Sequence, residues 1–152
     1  MIDTKEIYRL ASEFRAAIEK TSFDKPPMDH FPHGACGDSS LLLSEYLTQH
    51  GYKSRYYCGE HAFGGERNSQ THAWVILENG IFVDITGDQF KNKPEFLNYD
   101  APVYVGEKND FFELFSIPVI EREGGIEVFK EHDPRAESRY RLMYNRIIQN
   151  LD

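Results

Sequence analysis

The chain has only two cysteines, Cys36 and Cys58, in 152 residues, too few for a disulfide scaffold. No stretch approaches the roughly 20 apolar residues that a membrane span requires. The opening residues MIDTKEIYRLASEF place charge in every turn, where a secretory signal would carry a continuous apolar core. No internal repeat, low-complexity tract or linker divides the sequence, so one domain over residues 1–152 is expected. Basic charge is scarce: 17 Lys and Arg against 25 Asp and Glu give a formal net charge of -8. Such a surface repels a phosphate backbone and argues against sequence-independent nucleic-acid binding. A reducing cytoplasm is the expected compartment, with both thiols free for chemistry. Export as an effector stays open, and oligomeric state has no readable signal.

Hydrophobic residues make up 40% and charged residues 28%, a balance that supports a packed core. Residues 4–20 place Ile7, Leu10, Phe14, Ala17 and Ile18 at helical spacing, with Asp3 or Thr4 as N-cap. Three prolines in FDKPPMDHFPHG keep residues 23–34 extended or turned. A second helix is predicted from Cys36 to about His50, with Leu42, Leu43, Tyr46 and Leu47 as its apolar face and Gly51 as its stop. Strands are expected at 54–58, 71–77 and 81–86, then at 102–105 and near 115–120. A final helix follows, capped by Asp133 with Pro134 first, and buried along Tyr140, Met143, Tyr144, Ile147 and Ile148. Helices first, a mostly antiparallel sheet next and a helix last make an α+β domain.

The segment Gly34-Ala35-Cys36-Gly37-Asp38 puts a cysteine at a helix start, where unpaired N–H groups and the positive dipole end favour a thiolate. Gly34 and Gly37 let backbone approach a substrate closely, and the Cys36 N–H is a candidate oxyanion donor. Spacing alone fits a buried structural cysteine as well. His72-Ala73-Trp74 opens one strand, and Asp84 interrupts the apolar run Ile81-Phe82-Val83-Asp84-Ile85 of the next. A buried aspartate needs a partner, and a histidine N–H would supply one while fixing the ring's tautomer. The competing reading is a strand-end histidine and an aspartate facing solvent.

Register tests that pairing. A two-residue Asn79-Gly80 turn puts His72 and Asp84 on opposite faces of the hairpin. A three-residue loop, Glu78-Asn79-Gly80 with Gly80 left-handed, pairs Leu77 with Ile81. It sets His72 opposite Thr86 and makes Asp84 a same-face diagonal neighbour. A Cys36–His72–Asp84 triad requires the three-residue loop or an equivalent bulge.

Taken together, these residues resemble the transglutaminase-like superfamily. Its pattern is a Gly-x-Cys-x-Asp helix start, a helix ending in Gly, a strand, then His-Ala-Trp and Asp-x-Thr on neighbouring strands. The matches are Gly34, Cys36, Asp38, Gly51, Arg55, Gly59, His72, Ala73, Trp74, Asp84 and Thr86, in that order within residues 34–90. The resemblance implies a papain-like core, with the Cys36 helix packed on the sheet that bears His72 and Asp84. It further implies acyl transfer from an amide or thioester: Cys36 as nucleophile, His72 as proton carrier and Asp84 as its orienter. Expected substrates are a peptide, a protein side-chain amide or a small acyl compound, and no cofactor is called for. The family's oxyanion donor ahead of the cysteine has no evident counterpart here, and Gln89 is a candidate, beside Gly34, Gly37 and Trp74 as substrate-site residues. No acidic cluster has calcium-loop spacing, and no metal requirement is expected.

Other readings stay beside this one. Arylamine N-acetyltransferases use a related Cys-His-Asp arrangement but are much longer, and a binding module could keep the fold without activity. His30, His33 and Cys36, with His61 as a fourth ligand, are a weak zinc arrangement because Pro32 forces an extended chain. Cys58, Trp74, Tyr56 and Tyr57 also read as packing residues. Arg135, Arg139, Arg141 and Arg146 read as a solvated helix face, and residues 59–70 as a Gly-rich lid bordering His72.

Overall fold

A computed structural model describes residues 3–61 and 70–152. The chain runs α1 (Thr4–Lys20), α2 (Cys36–Gln49), β1 (Ser54–His61), β2 (Gln70–Leu77), β3 (Phe82–Asp84), β4 (Tyr104–Gly106), α3 (Asp110–Glu113), β5 (Ile117–Glu123) and α4 (Pro134–Ile148). The architecture is α+β. Among the described residues the strands form one five-stranded sheet in the order β4-β3-β2-β1-β5, every neighbouring pair antiparallel.

Local chemistry sets the helix boundaries. The Asp3 carboxylate accepts from the Lys5 and Glu6 N–H groups at 3.0 and 3.2 Å, satisfying two donors that the first turn leaves open. Asp133 accepts from the Ala136 N–H at 3.1 Å and Pro134 follows it. The short α3 was not expected from the sequence. Asn109 caps it through the Phe111 and Phe112 N–H groups at 3.0 and 3.2 Å, and it delivers both rings to the interior.

Alternation along the strands separates two layers. Ala73, Val75 and Leu77 of β2, Tyr56 and Cys58 of β1, and Val83 of β3 join the core built with α1, α2 and α4. Trp74, Phe82, Phe90, Phe96, Phe111, Phe112 and Phe115 form an aromatic cluster, against which Tyr57, Ile76 and Tyr104 pack. α2 is buried beyond its apolar stripe: Ser39, Ser40, Ser44 and Glu45 are interior as well. Each has a partner, as burial demands. Ser44 Oγ accepts from the Gly125 N–H at 2.7 Å and Glu45 from the Ile126 N–H at 2.9 Å, so the 124–126 turn seals the outer side of the helix.

Every strand differs from expectation at a boundary. β2 starts one residue early at Gln70. β3 covers only Phe82–Asp84 rather than 81–86, because Ile85 turns its carbonyl to Arg15. β1 runs on to His61 rather than stopping at Cys58. There Gly59 passes so close to the Phe115 carbonyl that a side chain has no room, and the pairing with β5 shifts register. β5 starts at Ile117 because Phe115 turns into the aromatic cluster. β4 falls at Tyr104–Gly106 because its partner β3 ends at Asp84, opposite Tyr104. Residues 62–69, most of the expected lid, lie outside the described residues. Arg141 of α4 pairs with Glu45 at 3.2 Å, so that helix's arginine face is not wholly solvated. Among the described residues no helix is long and apolar enough to cross a membrane.

Candidate active site

The β2–β3 hairpin has the three-residue loop. The Leu77 N–H donates to the Ile81 carbonyl at 2.7 Å, Val75 pairs with Val83, and Ile76 with Phe82. Asn79 and Gly80 are both left-handed, at φ 69° and 77°, the latter a conformation glycine adopts without steric cost. Carried onward, this register sets His72 opposite Thr86 and Asp84 diagonal to it on the same face. The two side chains meet there, fully buried: His72 Nε2 lies 2.6 Å from Asp84 Oδ2. A carboxylate only accepts, so Nε2 carries the hydrogen and Nδ1 faces the other way. The second Asp84 oxygen accepts from the Thr86 N–H at 2.8 Å and lies 3.4 Å from its hydroxyl.

The hairpin ladder does not continue past Val75 and Val83. Leu77 with Ile81 and Val75 with Val83 are hydrogen-bonding pairs, so Ala73 with Ile85 should be the next. That pair is unmade, and its groups have other partners. The Ile85 carbonyl accepts from Arg15 Nη1 of α1 at 3.0 Å. The Ala73 carbonyl accepts from Ser40 Oγ of α2 at 3.1 Å, and the Ala73 N–H faces the Cys36 sulfur and lowers its titration. Cys36 packs against the helical core, whereas His72 and Asp84 lie on the aromatic face. The opened ladder is where they come together, and Cys36 and His72 act on each other's titration there.

The electrostatics follow from these contacts. Burial alone pushes the Cys36 thiol up. The hydrogen bond and charge of His72, with the Ala73 N–H, outweigh it and hold the thiol below its ordinary value. Burial alone lowers His72, but the charge and hydrogen bond of Asp84, with a further contribution from Cys36, raise it to about 9. Both shifts run in the direction that favours thiolate with imidazolium over the neutral pair. Aromatic rings wall the imidazole off from water: Phe90, Phe111, Phe115 and Trp74 lie with ring centres 5.0, 5.5, 5.4 and 5.6 Å from it. In such surroundings charge interactions are screened little.

Gln89 joins the group. Its Nε2 donates to the Thr86 carbonyl at 3.1 Å and lies 3.4 Å from His72 Nδ1, and its Oε1 accepts from the Gly34 N–H at 3.4 Å. Gly34 is left-handed at φ 68°, turning the chain into α2, which starts at Cys36 without a capping side chain. Gly37 faces the Tyr56 hydroxyl, where a Cβ would stand 3.3 Å from the oxygen. Trp74 is buried in the aromatic cluster against His72. His30 and His33 are exposed while the Cys36 thiol is engaged with His72. Among the described residues no group of three or more His, Cys, Asp or Glu side chains could hold a metal. Cys58 is buried, and burial pushes its thiol to about 11.

Sequence reasoning missed Arg15, Ser40 and Asp88. Arg15 Nη1 and Nη2 clasp both Asp88 oxygens at 2.7 and 2.8 Å, and Nη1 also donates to the Pro102 carbonyl at 2.9 Å. The available signal was an arginine on the buried stripe of α1, eight residues after Ile7 and four after Ala11. Comparisons with protein-family models, curated proteins and solved structures return no match to this chain.

Proposed function

We propose that the chain is a transglutaminase-like cysteine enzyme with a papain-like core, carrying out acyl transfer from an amide or thioester of a peptide, a protein side chain or a small acyl compound. The observation that carries this reading is the buried His72–Asp84 pair, 2.6 Å apart, with Cys36 and His72 acting on each other so that the thiol is held below its ordinary value and the imidazole above. The Cys36 thiolate attacks the carbonyl carbon, forming a C–S bond and an oxyanion. His72 then passes its Nδ1 proton to the departing nitrogen or sulfur as that bond breaks, leaving an acyl-enzyme. Water or an amine, deprotonated by His72, attacks the acyl carbon and returns the thiolate. Asp84 holds the ring in the tautomer this cycle needs. The Cys36 N–H and the Gln89 amide are the oxyanion candidates, and Gly34 and Gly37 keep the approach to the sulfur free of side chains. A reducing compartment such as the cytoplasm keeps the nucleophile available.

The test is the pH dependence of Cys36 alkylation by iodoacetamide, read by intact mass in a Cys58→Ser background. A midpoint well below the ~8.5 of a free thiol, lost in His72→Ala, is the expected result. An ordinary thiol in both proteins would overturn the reading. Acyl-enzyme trapping with glutamine amides, peptides and acyl thioesters then sorts protease, deamidase and transglutaminase types.

A further inference from the structure

The opened ladder between β2 and β3 has a cause on its far side. In an unbroken hairpin the Ile85 carbonyl would accept from the Ala73 N–H. Here that carbonyl accepts from Arg15 Nη1 at 3.0 Å instead, and the guanidinium is fixed by its two-pronged grip on Asp88 at 2.7 and 2.8 Å. Arg15 is itself 8% exposed, so water competes little for these bonds. One side chain of α1 therefore holds both ends of the turn that begins after Asp84 and includes Thr86 and Gln89.

We propose that Arg15 is a positioning residue that wedges the hairpin open: by drawing the Ile85 carbonyl toward α1 it holds that oxygen out of line with the Ala73 N–H, which is left facing the Cys36 sulfur. With Asp88 it also sets the turn from which Gln89 reaches His72. Cys36 and His72 thus owe part of their pairing to a residue that touches neither. This rests on the reading of Cys36 as an activated nucleophile. The titratable and charged groups around the pair are Asp84 on β3, Tyr56 and Cys58 on β1, and Asp88 in the turn, with Glu19 of α1 beside Arg15 at 3.6 Å. Of these, Asp84 and Asp88 belong to the segment that Arg15 fixes. Without the guanidinium, the Ile85 carbonyl is free to recapture the Ala73 N–H, and the ladder closes over the place of the sulfur.

The experiment uses the Cys58→Ser chain with Arg15→Met, Arg15→Lys or Asp88→Asn added. Two readouts are taken against pH: the rate of Cys36 alkylation by iodoacetamide, and the amide resonance of Ala73. In the parent the Ala73 resonance should titrate together with Cys36, because its N–H faces the ionising sulfur. Arg15→Met should raise the Cys36 midpoint by about one unit, a roughly tenfold loss of alkylation rate below it, and uncouple the Ala73 resonance from Cys36. Arg15→Lys keeps one donor but not the fork and should recover part of both effects. Asp88→Asn keeps the Ile85 contact and should shift the midpoint less than Arg15→Met. If Arg15→Met does not fold, the ordering of Arg15→Lys and Asp88→Asn against the parent carries the test. A merely structural arginine would lower stability and leave both titrations where they were, which overturns the wedge. A parent Cys36 that titrates as an ordinary thiol overturns the nucleophile reading beneath it, a separate outcome.

Discussion

The start of α2 and the middle of β1 each carry one of the chain's two thiols, and the two share a neighbour. Cys58 is the cross-strand partner of Ala73, and the Ala73 N–H acts on the Cys36 sulfur. Burial pushes both thiols up. For Cys58 the opposing hydrogen bond from Thr71 is too weak, and it ends at about 11. For Cys36 the opened ladder supplies a backbone donor and lets an imidazole through from the other face of the sheet, and the direction reverses. Depth of burial therefore does not set the direction in which each thiol shifts; the groups beside the sulfur do.

The sharpest way to break this contrast is His72→Ala. It leaves Cys36 its burial and its N–H donor but removes the cation, so Cys36 should come to resemble Cys58. Alkylation of Cys36 near pH 7 should fall by about a hundredfold, measured by peptide mass with Cys58 as the internal reference. A fall of less than about threefold would leave the backbone donor as the main cause. Asp84→Asn is the next largest. Asp84 is the main reason His72 stands at about 9; without it the imidazolium loses its proton at lower pH. The pH window in which thiolate and imidazolium coexist should shrink from its alkaline side. The alkylation rate at pH 8 should drop about tenfold, and the NMR titration of His72 should move down.

A third effect separates the two partners thermodynamically. His72 is raised from 6.5 to about 9 on folding, so its contribution to stability is full below about pH 6.5 and is lost as pH rises through about 9. Cys36 is lowered from 9.0, so its contribution is present above pH 9 and lost as pH falls through its folded value. Over the shared window the two slopes oppose each other. Cys36→Ser removes one, and its urea-unfolding free energy should then fall more steeply with rising pH above 6.5 than that of the parent. Equal slopes in the two proteins would mean that the pair does not form.

What was legible in the sequence was local or periodic. Asp3 and Asp133 announced their helices because a cap acts on N–H groups two or three residues away. The hairpin register was readable because one slip would put Asp84 among the wrong neighbours, and a two-residue turn without a bulge would keep it from His72. The broken ladder was not readable. Arg15 reaches Ile85, Asp88 and Pro102 across 70, 73 and 87 residues of chain, and no pattern within α1 names such partners. Nor does anything within α2 mark Ser40 as the donor to the Ala73 carbonyl, 33 residues away. The start of β5 was misjudged for a related reason: Phe115 has strand character by itself, yet the aromatic cluster takes it first.

The smallest expected effect tests whether the gap is held from α2 or from α1. Ser40 Oγ donates to the Ala73 carbonyl, the group that shares an edge with the N–H facing the Cys36 sulfur. Ser40→Ala leaves that carbonyl buried and unpaired, which should cost about 1 kcal/mol in urea unfolding. It removes nothing that opposes reclosure from the β3 side, because Arg15 still occupies the Ile85 carbonyl. The Cys36 alkylation profile should therefore stay within about 0.3 pH units of the parent, a difference of roughly twofold in rate. A shift as large as that expected for Arg15→Met would move the cause to the seating of α2. The contrast between Cys36 and Cys58 would then rest on how the helix docks, with the hairpin opening as its consequence.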